Sequence, residues 1–179
     1  MPNDTIPALA YSGRAAALAE DVAGCLAARQ KTIAAAESCT GGLASDFITR
    51  VPGASKVLWG SFVCYTPDAK LKMLGVQAEL IEKHGEVSRP VAMAMAEGAL
   101  EKSGACLAFS ITGFAGPGGG SAAAPVGTVW IGIASRDGKL SGGICSDAKM
   151  FLFTGSRNEV REAAAAAALQ ELLERINCA

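Results

Sequence analysis

Three residues whose side chains can do chemistry, Ser38, Cys39 and Thr40, stand side by side at an abrupt change in the sequence. They follow a short apolar run, 32–36, and two glycines separate them from an amphipathic segment that begins at Leu43. This order predicts a buried strand, a tight turn and a helix. Backbone N–H groups at a helix start lack intrahelical partners and lie at the positive end of the helix dipole. A nucleophile on such a turn could attack a carbonyl group, because the turn stabilises the developing negative charge.

The same turn also has a purely structural interpretation. Ser38 or Thr40 would only cap the helix, and Gly41 and Gly42 would only relieve backbone strain. The identity of the nucleophile is a second open question. A thiolate at a helix N-terminus is activated, so Cys39 competes with Ser38, although no histidine neighbours it in the sequence.

A second glycine-rich segment, 112–120, follows an apolar run, 105–111, that predicts a buried strand. Ligands of open α/β sheets collect after such strands, and glycines let backbone amides approach a phosphate or carboxylate closely. The segment has neither the Gly-Lys-Ser/Thr of a Walker loop nor the following helix of a dinucleotide-binding fingerprint. A flexible surface loop is the alternative. The candidate binding residues on it are Thr112, Gly113, Gly116, Gly118 and Gly119.

Histidine and cysteine usage limits the possible chemistry. His84 is the only histidine, so we expect neither a Ser-His-Asp triad nor a multi-histidine metal site. The six cysteines are scattered without a C-x-x-C pair, which argues against zinc and iron–sulfur centres. We therefore expect no metal and no cofactor, and the search for a proton acceptor turns to lysine. His84 itself is expected to shape a helix terminus.

Length and charge set the class of protein. A chain of 179 residues with 50% apolar content predicts one globular domain, 1–179, with residues 1–12 as a flexible extension. A net charge of −1 gives no electrostatic case for nucleic acid or a membrane surface. No apolar run approaches the ~20 residues of a membrane helix, and the N-terminus lacks a signal-peptide pattern. We expect a cytoplasmic homodimer.

Helical and strand patterns alternate along the chain. The predicted helices are 13–29, 43–50, a short one opening at Pro67 with Thr66 as its cap, 78–83, 88–102 and 157–176 with Ser156 as its cap. The predicted strands are 32–36, 57–65, 105–111, 126–135 and about 141–153. Asp137 and Gly138 form a hairpin signal between the last two strands. The order predicts a three-layer α/β/α sandwich with a mixed, mostly parallel sheet and an antiparallel edge hairpin.

Six motifs in this order resemble the C-terminal domain of the competence/damage-inducible CinA proteins, a family that includes stand-alone nicotinamide-nucleotide amidohydrolases. They cover nearly the whole chain, about 14–175. The motifs are AESCTGG (36–42), SFVCYTPDAK (61–70), HGEVS (84–88), TGFAGPGGG (112–120), PVGTVWIG (125–132) and FTGSRNEVR (153–161).

The resemblance implies hydrolysis of the carboxamide of nicotinamide mononucleotide to nicotinate mononucleotide and ammonia, a reaction of pyridine nucleotide salvage. The family is regarded as metal-independent and as using a serine–lysine dyad. By motif position the nucleophile is Ser38 and the lysine is Lys70. Further site residues implied by the resemblance are Ser55, Tyr65 and Arg157.

The residues themselves are compatible with these roles but do not single them out. A lysine is normally protonated at neutral pH, so a lysine base must be kept neutral by burial or by a nearby positive charge. Judged from the residues alone, Lys70 is expected to be an exposed helix lysine, and Lys72 is as plausible a candidate for the base. Tyr65 could donate a hydrogen bond to a substrate or stack on its ring, or be an ordinary strand aromatic. Glu37 could orient Lys70 or accept backbone N–H groups.

Two anionic groups would need donors. We expect the backbone N–H groups of Thr40, Gly41 and Gly42 to hold the oxyanion. The phosphate would be held by the glycine-rich loop 113–120 or by Arg157 at the start of the last helix. An arginine there mildly opposes the helix dipole, which favours a functional reason for it.

One position departs from the family pattern. Ala124 stands where many relatives carry a lysine before the Pro-Val-Gly motif, which puts phosphate affinity or substrate choice in question. Two other functions stay open. The domain could be a nucleotide-binding or regulatory protein of competence or DNA-damage responses, although its charge argues against direct DNA binding. It could also be an amidase for another small carboxamide.

Overall fold

The computed structural model describes residues 5–11, 13–136 and 143–178. Its strands are β1 (Ile6–Pro7), β2 (Ile33–Glu37), β3 (Leu58–Val63), β4 (Leu107–Gly113), β5 (Thr128–Arg136) and β6 (Ile144–Thr154). Its α-helices are α1 (Arg14–Ala28), α2 (Leu43–Thr49), α3 (Pro67–Leu74), α4 (Ala78–His84), α5 (Arg89–Ser103) and α6 (Arg157–Cys178). Short 3-10 helices span Ala8–Tyr11 and Ala54–Lys56.

The six strands form one sheet in the order β1-β6-β5-β4-β2-β3. The strand β2 is parallel to both β3 and β4, and β1 is parallel to β6. Only β5 runs against its neighbours β4 and β6, which confirms the predicted mixed, mostly parallel sheet. The predicted antiparallel pair is β5 with β6, and the two-residue β1 lies outside β6. The predicted turn at Asp137 and Gly138 lies outside the described residues.

Helices cover both faces of the sheet, which confirms the three-layer α/β/α sandwich. Strand β2 shows how one strand serves two cores, because its side chains alternate between the faces. Ile33 and Ala35 pack in a core with α1, α2 and α6. Ala34 and Ala36 pack in a second core with α3 and α5. None of the described helices is both long and apolar enough to cross a membrane.

Helix termini follow the local signals in the sequence. Thr66 caps α3, its Oγ1 accepting the N–H of Ala69 at 3.2 Å, and Pro67 takes the first helical position. At the start of α6 the N–H of Ser156 donates to the Glu159 carboxylate at 2.7 Å. His84 is the last residue of α4, as expected.

The flexible N-terminal extension predicted for residues 1–12 is wrong for 6–11. Ile6 and Pro7 pair with the end of β6, and Ala8 is buried. The ring of Tyr11 packs edge-on against Phe153 with centroids 5.5 Å apart. Ala8 and the partly buried Ile6 and Tyr11 therefore pack onto the core beside β6.

Candidate active site

The carboxyl ends of β2, β3 and β4 meet at one edge of the sheet, where they border a cleft. Its cavity volume is about 160 Å³. The lining residues come from segments far apart in the sequence: Ser38, Cys39, Tyr65, Glu86, Val87, Thr112, Gly113, Phe114, Ala115, Gly116, Gly118 and Arg157. Open α/β sheets bind ligands at this edge, so the cleft is the candidate active site.

The turn after β2 is built around the buried carboxylate of Glu37. Its Oε2 accepts the N–H groups of Gly42 and Ala44, both at 3.1 Å. Its Oε1 accepts the N–H of Ser45 at 2.9 Å and the Ser45 hydroxyl at 2.6 Å. Glu37 therefore caps α2, and the interpretation of Ser38 or Thr40 as the cap is wrong. One of the two roles weighed for Glu37, a carboxylate bonded to backbone N–H groups, is confirmed.

Strand pairing fixes the position of Ser38. Its N–H donates to the carbonyl of Ile111 at 2.9 Å, and the N–H of Cys64 donates to the carbonyl of Glu37 at 2.9 Å. The backbone hydrogen bonding of the sheet, between β4 and β3, therefore extends to Ser38. The chain leaves the sheet immediately after this residue. Ser38 is 7% exposed and lines the cleft.

The amine of Lys70 lies directly behind Ser38. Lys70 Nζ donates to Ser38 Oγ at 3.2 Å and to Glu86 Oε2 at 3.3 Å. The Lys70 side chain is 0% exposed, whereas that of Lys72 is 72% exposed and paired with Asp68. The interpretation of Lys70 as an exposed helix lysine is therefore wrong, and only Lys70 reaches the serine.

The Cys39 thiol is poorly suited to be the nucleophile. Burial, and secondarily the negative charge of Glu37, raises the pKa of Cys39 to about 12. A thiol with that pKa stays protonated at neutral pH, and the thiol form is a weak nucleophile. The helix start that would activate it is already neutralised by Glu37.

A chain of contacts crosses the mouth of the cleft. Arg157, the first residue of α6, donates to the hydroxyl of Tyr65 at 2.7 Å and also to the carbonyl of Gly116. Tyr65 is 53% exposed, so its ring is accessible from the cleft mouth. The Thr112 hydroxyl donates to the backbone carbonyl of Glu86 at 2.8 Å and ties the glycine-rich loop to the α4–α5 connection.

The predicted site residues fall into two groups. Those at the cleft are Ser38, Tyr65, Thr112, Gly113, Gly116, Gly118 and Arg157, with Lys70 behind Ser38. Those that do not line it are Thr40, Gly41, Gly42, Ser55 and Gly119. The second group includes the three amides expected to hold the oxyanion.

Two of those amides have other partners, so the expected role is wrong for them. The N–H of Gly41 donates to the carbonyl of Ser38 at 3.0 Å, and that of Gly42 donates to Glu37. The N–H of Thr40 has no acceptor among the described residues. The Thr40 hydroxyl is buried and likewise has no partner within the described parts of the chain.

Ser55 lies at the opposite edge of the sheet from Ser38. It is exposed on the 3-10 helix Ala54–Lys56, just before the amino end of β3. Because β3 and β2 are parallel, that end lies beside Ile33 rather than beside Ser38. The structure therefore does not bring Ser55 to the cleft.

Sequence reasoning missed two charged residues at the site. Glu86 contacts Lys70, and Arg161 donates to the carbonyls of Cys39 and Thr40 at 3.2 and 2.9 Å. Each lies inside a motif quoted for the resemblance, so its motif was the available signal. Among the described residues, no group of three or more histidine, cysteine, aspartate or glutamate side chains could hold a metal ion.

Fold and site together define a three-layer α/β/α domain with a serine–lysine pair at the carboxyl edge of a mixed sheet. The CinA C-terminal domain profile matches residues 15–176, and the chain belongs to that family. It is 45% identical to a CinA-like protein of Chlorobaculum tepidum over 166 residues, 93% of this chain and 39% of that protein. It is 46% identical to a putative competence-damage inducible protein of Symbiobacterium thermophilum over 89% of this chain and 38% of that protein.

Solved structures of the same superfamily share the fold. The competence/damage inducible protein CihA of Agrobacterium tumefaciens is 40% identical, with a TM-score of 0.83 over 92% of this chain and 96% of that chain. A CinA superfamily protein of Klebsiella pneumoniae is 32% identical, with a TM-score of 0.84 over 92% of this chain and 99% of that chain. The chain spans less than two fifths of the length of the curated relatives described above.

Proposed function

We propose that this protein hydrolyses a primary carboxamide without a metal, with Ser38 as nucleophile and Lys70 as proton acceptor. The supporting observation is the 3.2 Å contact between Lys70 Nζ and Ser38 Oγ at the base of the cleft. A fully buried lysine in contact with a serine hydroxyl is the arrangement that a serine–lysine amidase needs. The family resemblance points to nicotinamide mononucleotide as the substrate.

In the proposed reaction Ser38 Oγ attacks the carbonyl carbon while Lys70 Nζ takes the hydroxyl proton. The tetrahedral intermediate collapses, the C–N bond breaks, and Lys70 returns the proton to the leaving nitrogen, which departs as ammonia. Water then attacks the acyl-enzyme ester, with Lys70 again accepting a proton. Cleavage of that ester regenerates Ser38 and releases the carboxylic acid.

The rest of the cleft supplies groups that suit a pyridine nucleotide. The exposed ring of Tyr65 offers a surface on which a pyridine can stack. Arg157 stands at the cleft mouth and at the N-terminus of α6, where charge and helix amides together favour a phosphate. Of the three amides expected to hold the oxyanion, that of Thr40 has no acceptor within the described chain, but Thr40 does not line the cleft. Ala124, which stands where many relatives carry a lysine, offers no charge to a phosphate, so Arg157 carries more of the phosphate binding.

The test is ammonia release from nicotinamide mononucleotide by the full chain in the presence of a chelator. Ser38→Ala and Lys70→Met should each lower kcat at least about 1,000-fold, because nucleophile and proton acceptor act as a unit. Lys70→Met keeps most of the aliphatic stem and removes only the amine. Lys72→Met is the matched control, since Lys72 is exposed two residues away, and it should retain wild-type activity.

The alternatives predict different results. Nucleotide binding without ammonia release would favour the regulatory function over the enzyme. Activity that survives Ser38→Ala and disappears in Cys39→Ala would move the nucleophile to the thiol. Equal activity on nicotinamide riboside or free nicotinamide would show that the phosphate is not recognised and would favour an amidase for another small carboxamide.

A further inference from the structure

Among the residues that the structure describes, Glu86 is the one acidic side chain that lines the cleft. It lies in the connection between α4 and α5, and its side chain is 39% exposed. Its Oε2 contacts Lys70 Nζ, while its Oε1 has no hydrogen-bond partner among the described residues. The backbone at Glu86 is held in place because its carbonyl accepts the Thr112 hydroxyl. The cleft is therefore lined by a carboxylate that has one oxygen on Lys70 and a second oxygen that no described residue uses.

The position of this carboxylate relative to the nucleophile is set by Lys70. The same amine contacts Ser38 Oγ and Glu86 Oε2, at 3.2 and 3.3 Å. One carboxamide group can therefore place its carbon against Ser38 and its nitrogen within reach of Glu86. An ionised carboxylate only accepts hydrogen bonds. A primary carboxamide offers two N–H donors to it, whereas the carboxylate of the product offers none.

We propose that Glu86 is a specificity residue that accepts a hydrogen bond from the carboxamide N–H₂ of the substrate and repels the carboxylate of the product. This inference rests on the proposed function. The hydrogen bond turns the scissile carbonyl carbon towards Ser38 and excludes amides without a free N–H. After hydrolysis the product carboxylate faces a like charge, which speeds its release.

The test separates substrate contact from the simpler role of holding Lys70. Calorimetry on the full chain carrying Ser38→Ala measures Kd for nicotinamide mononucleotide and for nicotinate mononucleotide. Adding Glu86→Gln should lower the ratio of the Kd for nicotinate mononucleotide to the Kd for nicotinamide mononucleotide at least about tenfold. The reason is that the glutamine N–H₂ can donate to the carboxylate of the acid. Glu86→Ala, which removes both attraction and repulsion, should also lower that ratio. Glu82→Gln, an exposed change of the same charge on α4, is the control and should leave it unchanged.

Each possible result either supports or overturns the inference about Glu86. A ratio that Glu86→Gln and Glu86→Ala leave unchanged would overturn the inference, because a residue that only positions Lys70 alters kcat and not ligand discrimination. If the Ser38→Ala protein binds nicotinamide mononucleotide tightly and the ratio is unchanged, the inference about Glu86 fails but the proposed function stands. Failure of the Ser38→Ala protein to bind either nucleotide would overturn the proposed substrate and this inference with it.

Discussion

At the scale of single residues, the buried carboxylate of Glu37 organises the turn that carries Ser38. Three backbone N–H groups and one hydroxyl converge on it, and within the described residues no cationic side chain is hydrogen-bonded or ion-paired to it. The N-terminus of α2 thereby becomes its counter-charge. The strand signal at 32–36 predicted where the turn begins, but only the folded turn brings α2 back over Glu37.

Replacing this carboxylate should destabilise the protein. Glu37→Gln puts an N–H₂ group against N–H donors and removes the charge that they stabilise. We expect the free energy of unfolding to fall by about 2–3 kcal/mol in urea titrations. Glu20→Gln, an exposed change on α1, should stay within about 0.5 kcal/mol of the wild type. Equal stability of the two variants would contradict the capping role.

The buried thiols make stability depend on alkaline pH. Burial raises the pKa of Cys39 to about 12 and that of Cys64 to about 11, against an ordinary value of 9.0. Below pH 9 both thiols are protonated in the folded and unfolded states. Above it the unfolded chain loses these protons more readily, so stability falls as the pH rises from about 9 towards 11.

The measurement is urea unfolding at about pH 8 and about pH 10.5. A Cys39→Ala/Cys64→Ala variant should lose less stability between these two pH values than the wild type does. Tyrosines and lysines titrate in both proteins, so the difference between the two declines isolates the thiols. Identical declines would mean that folding does not hold these thiols neutral.

At the scale of elements, close packing between α5 and the sheet depends on a residue without a side chain. A Cβ at Gly132 of β5 would lie 2.5 Å from the Ala92 carbonyl oxygen and 2.6 Å from Ser110 Oγ. Ser110 donates to the same carbonyl at 2.6 Å. The helix is therefore hydrogen-bonded to the sheet at a point of close approach.

Adding one methyl group at this point should separate α5 from the sheet. Gly132→Ala is expected to lower the free energy of unfolding by about 1–3 kcal/mol through overpacking. Gly24→Ala is the matched control, because a Cβ on this exposed face of α1 meets nothing within 4 Å. That change should stabilise the protein by about 0.5–1 kcal/mol. Thermal or urea unfolding measures the stability of both variants. A loss of stability in both would refute the packing explanation.

Helix α6 also holds the nucleophile turn from outside. Arg161 spans from α6 to the carbonyls of Cys39 and Thr40. Arg161→Met should cost about 1–2 kcal/mol of stability and increase hydrogen exchange at the turn. Arg29→Met, at the exposed end of α1, should change stability by less than about 0.5 kcal/mol. Unaltered exchange in the first variant would mean that the turn is rigid without α6.

At the scale of the whole molecule, the cleft exists because strands distant in sequence end at the same edge. The antiparallel strand β5 also starts at this edge, and α6 begins there after β6. The serine, lysine and glutamate of the site thus come from three separate segments of one sheet-based framework. The homodimer and the cytoplasmic location stay predictions.

The N-terminal segment belongs to this framework. Removing residues 1–11 should lower the free energy of unfolding by about 2–4 kcal/mol, because Ile6, Ala8 and Tyr11 lose their contacts with β6 and the core. Tyr11→Phe, which keeps the ring against Phe153, should remain near the wild type. Urea unfolding measures both, and a truncated protein as stable as the full chain would contradict the assignment of this segment to the fold.

The sequence by itself determined the order of the α-helices and of strands β2 to β6, the cap at Thr66, and the segments that meet at the cleft. These features follow from local periodicity and turn chemistry, which short windows of sequence contain. Only the tertiary structure decided that Lys70 rather than Lys72 reaches Ser38, that Glu86 joins them, and that Ser55 lies at the far edge. Those outcomes depend on distances between segments that are remote in the chain, and packing of the three layers sets them.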